Sequence, residues 1–507
     1  MGGKGKTAGK AAEGKSLESR LWDSANKLRG NLEAGEYKHV VLGLICLKYA
    51  GDRFEEQRAK LIAAGRERYI DLPEFYTKDS VFFVPEEARW SKLMESAKQP
   101  DIILKVDSAL ASIERENSVL KGALPDNYYS RLNLDFSQFA ALLDVVNGIC
   151  ASDDEQDLIG RIYEYFLGKF ALSEGKMKGE YYTPKCVVKL IAEMIEPFRG
   201  KIYDPCCGSG GMFVQSKKFV EAHNGNSKDI SIYGQEYTAT TYKLAKMNLA
   251  IRGLSANLGV PANSFSNDQH PTLKADFIMA NQPFNQKAWR AENELTDDYR
   301  WAFGVPPVGN ANYGWIEHII SKMGQNAKAG FVLANGSLST DQGGEGEIRR
   351  NIVEVGLVDC IAALPGQLFY TTQIPVSLWF LRRNKPNTDS ILFIDARKLG
   401  EMEDRTHKVL SDADIARIAD TYHAWSRSDG YADVPGFCRS APLSEVAENG
   451  FVLTPSRYVG LSPEEEDSEP FEEKMQRLTS ELSVLFERDA EAKAEICRQL
   501  ERAGFKL

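Results

Sequence analysis

The chain has 507 residues, room for two to four domains at about 150 residues each. Apolar residues make up 43% and charged residues 26%, which excludes global disorder and allows a sizeable core. With 62 Lys plus Arg against 72 Asp plus Glu the net charge is −10, a balance that argues against tight, autonomous binding of a nucleic-acid duplex. It leaves open a DNA enzyme whose grip is supplied by a partner.

The charge is unevenly placed. Residues 1–15 carry Lys4, Lys6, Lys10 and Lys15 against Glu13, with no apolar run, and read as a flexible basic tail, not a signal peptide. At the other end, Ser462 to Leu507 hold thirteen acids and seven bases, −6 of the chain's −10. Apolar runs such as His39 to Ala50 are too short to span a bilayer. The eight cysteines (Cys46, Cys150, Cys186, Cys206, Cys207, Cys360, Cys438, Cys497) form no CxxC pair. The six histidines never join them at zinc-ligand spacing. A reduced cytoplasmic protein without a structural metal is expected.

From residue 16 to about 176 the pattern predicts an α-helical domain. Leu17, Leu21, Ala25 and Leu28 recur at helical spacing, as do Leu158, Ile162, Tyr165 and Phe166, and Pro73, Pro85 and Pro125 separate the helices. Short apolar runs then alternate with amphipathic ones. Strands are predicted over Lys201–Asp204, Ile230–Glu236, Ala275–Ala280, Gly330–Ala334, Val358–Ala363 and Val376–Leu381. Helices are expected from the Gly turn to about His223, over Ala239–Ile251 and over Ile316–Met323. This alternation implies an α/β, doubly wound, mostly parallel sheet. The close last pair of strands suggests one antiparallel edge strand. Residues 401–460 read as a mixed, mainly helical extension. In the tail, Phe471, Met475, Leu478, Leu482 and Leu485 form an a/d seam that Ala492 and Ile496 resume. Such a helix either packs on its own chain or docks on a partner's helices.

Two segments carry chemistry. Asp204-Pro-Cys-Cys-Gly208-Ser209-Gly210-Gly211 joins a strand to a helix, where glycines let the backbone approach a ligand closely and a helix N-terminus offers N–H groups. This pattern also fits dinucleotide sites, although Glu236, the acid suited to two ribose hydroxyls, lies 28 residues beyond Gly208. The second segment, Asn281-Gln282-Pro283-Phe284, directly follows a strand. An Asn side-chain oxygen and the neighbouring backbone carbonyl can accept both hydrogens of an exocyclic amine, and an aromatic ring beyond them can stack on an extruded base.

Together with Gly179-Glu-Tyr-Tyr-Thr183-Pro184, Asp157-Leu-Ile-Gly-Arg-Ile-Tyr163-Glu164, Leu364-Pro-Gly-Gln-Leu-Phe369 and Leu453-Thr-Pro-Ser-Arg457-Tyr458, these motifs resemble the modification (M) subunit of type I restriction–modification systems, from about Leu17 to Gly460. The resemblance implies a Rossmann-like methyltransferase domain over 177–400, behind the 16–176 helical domain and ahead of a 461–507 docking helix. It implies S-adenosyl-L-methionine as cofactor and adenine N6 in DNA as acceptor, reached by base flipping and direct in-line transfer. Tyr181, Tyr182 and Thr183 would border the methionine end of the cofactor. Asp204, Gly208, Ser209, Gly210 and Gly211 would line its middle, Glu236 its ribose, and Asn263, Ser264 and Phe265 its adenine, without the acid many relatives have there. Asn281 and the Gln282 carbonyl would hold N6, with Pro283 and Phe284 completing the motif. No metal is implied. The partners implied are DNA, a specificity (S) subunit shared by two M subunits, and a restriction (R) subunit, with no membrane. Gln282 replaces the usual first proline, which suggests a looser site. The alternatives are a protein glutamine methyltransferase and a non-catalytic adaptor of the same fold.

Overall fold

In the computed structural model the described residues are 22–23, 26, 34–132, 134–148, 162, 165–166, 183–369, 373–461 and 471–502. Leu17, Leu21, Ala25, Leu28, Leu158, Cys150 and the basic tail lie outside them. The chain divides into two units, Met1–Val459 and Gly460–Leu507.

The first unit opens with helices α1 (Ala34–Ala63), α2 (Ile102–Glu116) and α3 (Phe136–Asn147), linked by short turns and single-turn helices. The apolar run Val40–Leu47 is buried along α1 and forms a core with Ile102, Val106 and Leu110 of α2 and Phe139, Leu142 and Leu143 of α3. Gly43 is needed for this packing. A Cβ there would stand 2.4 Å from the Tyr129 hydroxyl, which donates to the Val40 carbonyl at 2.8 Å.

Beyond them come α4 (Lys185–Ile195), β1 (Gly200–Asp204), α5 (Gly211–Ala222), β2 (Ile230–Gly234), α6 (Ala239–Ile251), β3 (Ala256–Asn257), β4 (Ala275–Ala280), α7 (Asn312–Lys322), β5 (Met323–Ala334), α8 (Glu345–Glu354), β6 (Val358–Ala363), β7 (Val376–Arg382) and β8 (Ser390–Asp395). A small ribbon of β9 (Glu401–Met402) and β10 (Lys408–Val409) precedes α9 (Asp412–Arg427) and β11 (Cys438–Pro442). The main sheet runs β11-β8-β6-β7-β5-β4-β1-β2-β3. Strands β1 to β5 pair in parallel, as do β6 and β8. Successive side chains feed opposite faces: Ile202 and Val332 join the core under α4, α5, α6 and α9, whereas Tyr203, Phe331 and Leu333 join the core under α7 and α8.

The sheet is therefore doubly wound and mostly parallel, with an antiparallel edge pair, β11 on β8. The structure adds two corrections. The antiparallel strand expected at the edge, Val376–Leu381, lies inside the sheet as β7, between β5 and β6 and antiparallel to both. The stretch expected to be mainly helical after Leu399 contributes β11, so part of the 401–460 extension belongs to the sheet. Pro442 is tolerated because it ends an edge strand.

Helix α6 is buried nearly all round. Leu244, Met247, Ala250 and Ile251 join the core of the N-terminal helices, and Tyr242, Ala245 and Leu249 join the sheet core. In the second unit, α10 (Phe471–Arg502) leaves Met475, Leu478, Leu482, Leu485 and Phe486 between 43% and 64% exposed. Among the described residues no helix is long and apolar enough to cross a membrane.

Candidate active site

Strand order reverses between β1 and β4, and the loops leaving their C-terminal ends flank a crevice, the usual ligand position in such sheets. An open cleft lies there, lined by Thr183, Asp204, the glycine loop and Asn281. Lys185, Val188, Met212, Gln215 and Asn248 complete its wall and had no assigned role in the sequence reading.

The glycine loop is held open by its own chemistry. Gly208 and Gly210 have φ of +54° and +80°, values that L side chains rarely adopt. At Gly208 and Gly211 the space a Cβ would enter is empty, leaving bare backbone to face the cleft. The Cys206 N–H donates to Asp204 Oδ1 at 2.9 Å, and Gly208 N–H donates to Glu236 Oε2 at 3.1 Å. Glu236 Oε1 also accepts from Thr238 N–H at 2.8 Å, so this carboxylate clamps the loop against the segment that follows β2. Burial raises the Asp204 carboxyl to about 7. Burial likewise keeps the thiols of Cys206 and Cys207 far above the range in which they would act as nucleophiles.

Asn281 follows β4 directly. Its Nδ2 donates to the Thr183 hydroxyl at 2.9 Å, which turns Oδ1 the other way. That oxygen is buried and has no partner. Gln282 is fully buried, and both polar atoms of its side chain are also without partners. The Phe284 ring is half-buried and meets Phe369 edge-on at 5.9 Å. Tyr181 and Tyr182 lie outside the described residues.

The segment expected to face an adenine is arranged differently. Ser264 Oγ donates to the Pro205 carbonyl at 2.5 Å, and Asn263 Oδ1 accepts from Phe265 N–H at 2.8 Å. Phe265 is 2% exposed, its ring 4.4 Å from Trp289 and 4.3 Å from Trp315, and it offers no face to the cleft. Tyr237, beside Glu236 and 72% exposed, is an open aromatic that the sequence reading passed over.

Behind this segment lies a buried polar chain. Arg300, 4% exposed, donates to the carbonyls of Ser264 (3.0 Å) and Phe265 (2.6 Å) and pairs bidentately with Asp298 (2.8 and 2.6 Å). Its Nη1 donates to His318 Nδ1 at 3.0 Å. Burial, with the cations of Arg300 and Lys322 nearby, keeps His318 neutral, so its Nε2–H is left to donate to the Tyr203 hydroxyl at 3.1 Å.

A family profile described as N-6 DNA Methylase matches residues 154–467, and one described as HsdM N-terminal domain matches 17–149. The HindI type I restriction enzyme methylase subunit of Haemophilus influenzae is 46% identical over 444 residues, 83% of this chain and 100% of that protein. The chain belongs to the modification subunits of type I restriction–modification systems. The MjaIX methylase subunit of Methanocaldococcus jannaschii, another member of the family, is 38% identical over 515 residues, 96% of this chain and 92% of its own length. The solved methyltransferase subunit of a type I system from Streptococcus thermophilus superposes with a TM-score of 0.74 at 25% identity, covering 87% of this M subunit and 99% of that chain. The fold and the DNA methyltransferase class of this M subunit are thereby established.

Proposed function

We propose that this M subunit methylates adenine N6 in DNA with S-adenosylmethionine, in a complex whose S subunit reads the target sequence. The observation that carries the reading is the Asn281 carboxamide, tethered through Nδ2 to Thr183 with a buried, unpaired Oδ1 beside the glycine loop. A buried acceptor without a donor is costly to maintain, and an exocyclic amine is the donor it fits. The Gln282 carbonyl accepts the second N6 hydrogen. Phe284, supported by Phe369, stacks on a base rotated out of the duplex.

The cleft suits the cofactor, with bare glycine backbone for close approach and Asp204 for positive charge; Glu236, bonded to Gly208 N–H, is assigned to the ribose hydroxyls and the exposed Tyr237 next to it to the adenine ring. When bound, S-adenosylmethionine supplies an electrophilic methyl group on a sulfonium. Thr183 and the glycine loop orient it, and Asn281 holds the acceptor nitrogen with its lone pair toward the cleft. Tyr181 and Tyr182 are assigned to the methionine end by family resemblance alone, as are Asn263 and Ser264 to the adenine end.

Asp204 makes binding pH-dependent. Its raised value means the free protein is protonated there below about 7. A cationic ligand favours the carboxylate, so binding releases a proton and strengthens as pH rises through 7, by up to about tenfold per unit below that value. Calorimetry at pH 6.5 in two buffers of different ionisation heat should show this release, and Asp204→Asn should remove it. An unchanged proton count in the variant would contradict the assignment.

Gln282→Pro should raise the single-turnover rate about two- to fivefold, because a proline there restricts Asn281 to extended backbone and removes an unsatisfied buried amide. No change in rate would show that the motif is already rigid.

The domains are read as 16–176 helical, 177–400 methyltransferase with β11 completing its sheet, and 461–507 docking. The exposed apolar seam of α10 fits the helices of an S subunit, shared by two M subunits in a cytoplasmic complex that an R subunit can join. The −10 charge agrees with DNA contacts shared with that partner. The helical domains and 507-residue length have no role in a glutamine methyltransferase, and the preformed Asn281 acceptor speaks against an inert adaptor.

A further inference from the structure

The geometry points to Asn248 as a positioning residue for the cofactor loop, an inference that rests on reading the cleft as the S-adenosylmethionine site. Asn248 sits on α6 and is 2% exposed. Its Nδ2 donates to the Ser209 carbonyl at 2.7 Å, at the crest of the glycine loop. Its Oδ1 accepts from the Arg252 guanidinium one turn later, which also donates to the Asn248 carbonyl at 3.3 Å. The amide orientation is therefore set from behind, and Nδ2 has one direction in which to point.

The next residue acts on the next loop position. A Cβ on Gly210 would lie 3.3 Å from Leu249 Cγ, so Leu249 already closes that side of the loop. Gly210 N–H donates to the Cys207 carbonyl at 2.8 Å, completing the tight turn. Asn248 and Leu249 thus hold Ser209 and Gly210, while Glu236, just past the end of β2, holds Gly208. The helix that carries this clamp cannot readily shift, since Leu244, Met247, Ala250 and Ile251 are embedded in the core of the N-terminal helices. The N-terminal domain thereby becomes part of the scaffold of the cofactor loop. A loop fixed before the ligand arrives loses less freedom on binding, so its benefit appears as cofactor affinity.

The test is Asn248→Asp in the full chain. Aspartate keeps the size of the side chain and the contact with Arg252 but lacks the Nδ2 donor. The Kd for S-adenosylmethionine by calorimetry should rise about tenfold, the equivalent of one lost hydrogen bond. In the assembled complex the KM for S-adenosylmethionine should rise in parallel, with kcat at saturating cofactor and KM for DNA within about twofold of the unaltered enzyme. Asn248→Ala should weaken binding at least as much. A Kd for Asn248→Asp within about twofold of the original, or a fall in kcat with unchanged Kd, overturns the proposal. Failure of the unaltered chain to bind S-adenosylmethionine overturns the reading of the cleft, and the proposal with it.

Discussion

Replacing Asn281 with alanine is expected to lower the rate of methyl transfer by roughly a hundredfold to a thousandfold, the usual loss when one preorganised polar contact at a reacting atom is removed. Cofactor affinity should stay within about twofold, because Asn281 forms one wall of the cleft and the glycine loop and Glu236 are untouched. Asn281→Asp should retain more activity than alanine, since aspartate keeps acceptors at the same place and lets the Thr183 hydroxyl turn from acceptor to donor. Single-turnover methylation with saturating cofactor measures both variants. Equal rates for asparagine and alanine would remove Asn281 from the chemistry.

The largest loss of stability is expected at Arg300. Arg300→Met should destabilise the fold by about 3–5 kcal/mol, because it strands the Asp298 carboxylate, two carbonyls and a ring nitrogen of His318 in a buried site. Methionine matches the stem of the side chain, so the loss reflects polarity more than volume. Arg300→Lys should recover less than half, since an ammonium cannot reproduce a fork with several bonds in fixed directions. Denaturant unfolding of the full chain reads the difference, and a loss below about 1 kcal/mol would mean that water replaces the guanidinium.

The parallel sheet was legible because its strands are buried on both faces and read as short apolar runs between amphipathic helices. Val358–Ala363 and Ala275–Ala280 are found with the bounds that pattern indicates. Sheet order was not legible. β7 follows β6 closely in the chain, and its insertion between β5 and β6 is decided by tertiary pairing that local pattern does not encode. β11 was hidden by its composition, with polar residues and a terminal proline that only an edge permits.

The site divides in the same way. The glycine loop, Glu236 and Asn281 were visible because their chemistry sits at the ends of strands in short, unusual motifs. Asn248 was not visible, since an asparagine inside a helix has no signal until the loop it holds is known. Phe265 was assigned by family resemblance, but three tryptophans from the segment between β4 and α7 and from α7 itself enclose its ring, a contact set by residues far along the chain.

The central claim is adenine N6 methylation by this chain within its complex. The most direct measurement is to incubate the complex of this M subunit and its S subunit with unmethylated DNA and isotopically labelled S-adenosylmethionine, digest the DNA to nucleosides and identify the labelled product by mass spectrometry. Label in N6-methyl-2′-deoxyadenosine that disappears with Asn281→Ala is the predicted result. Label in a methylated cytosine, on a protein glutamine or in no DNA product at all would contradict the account.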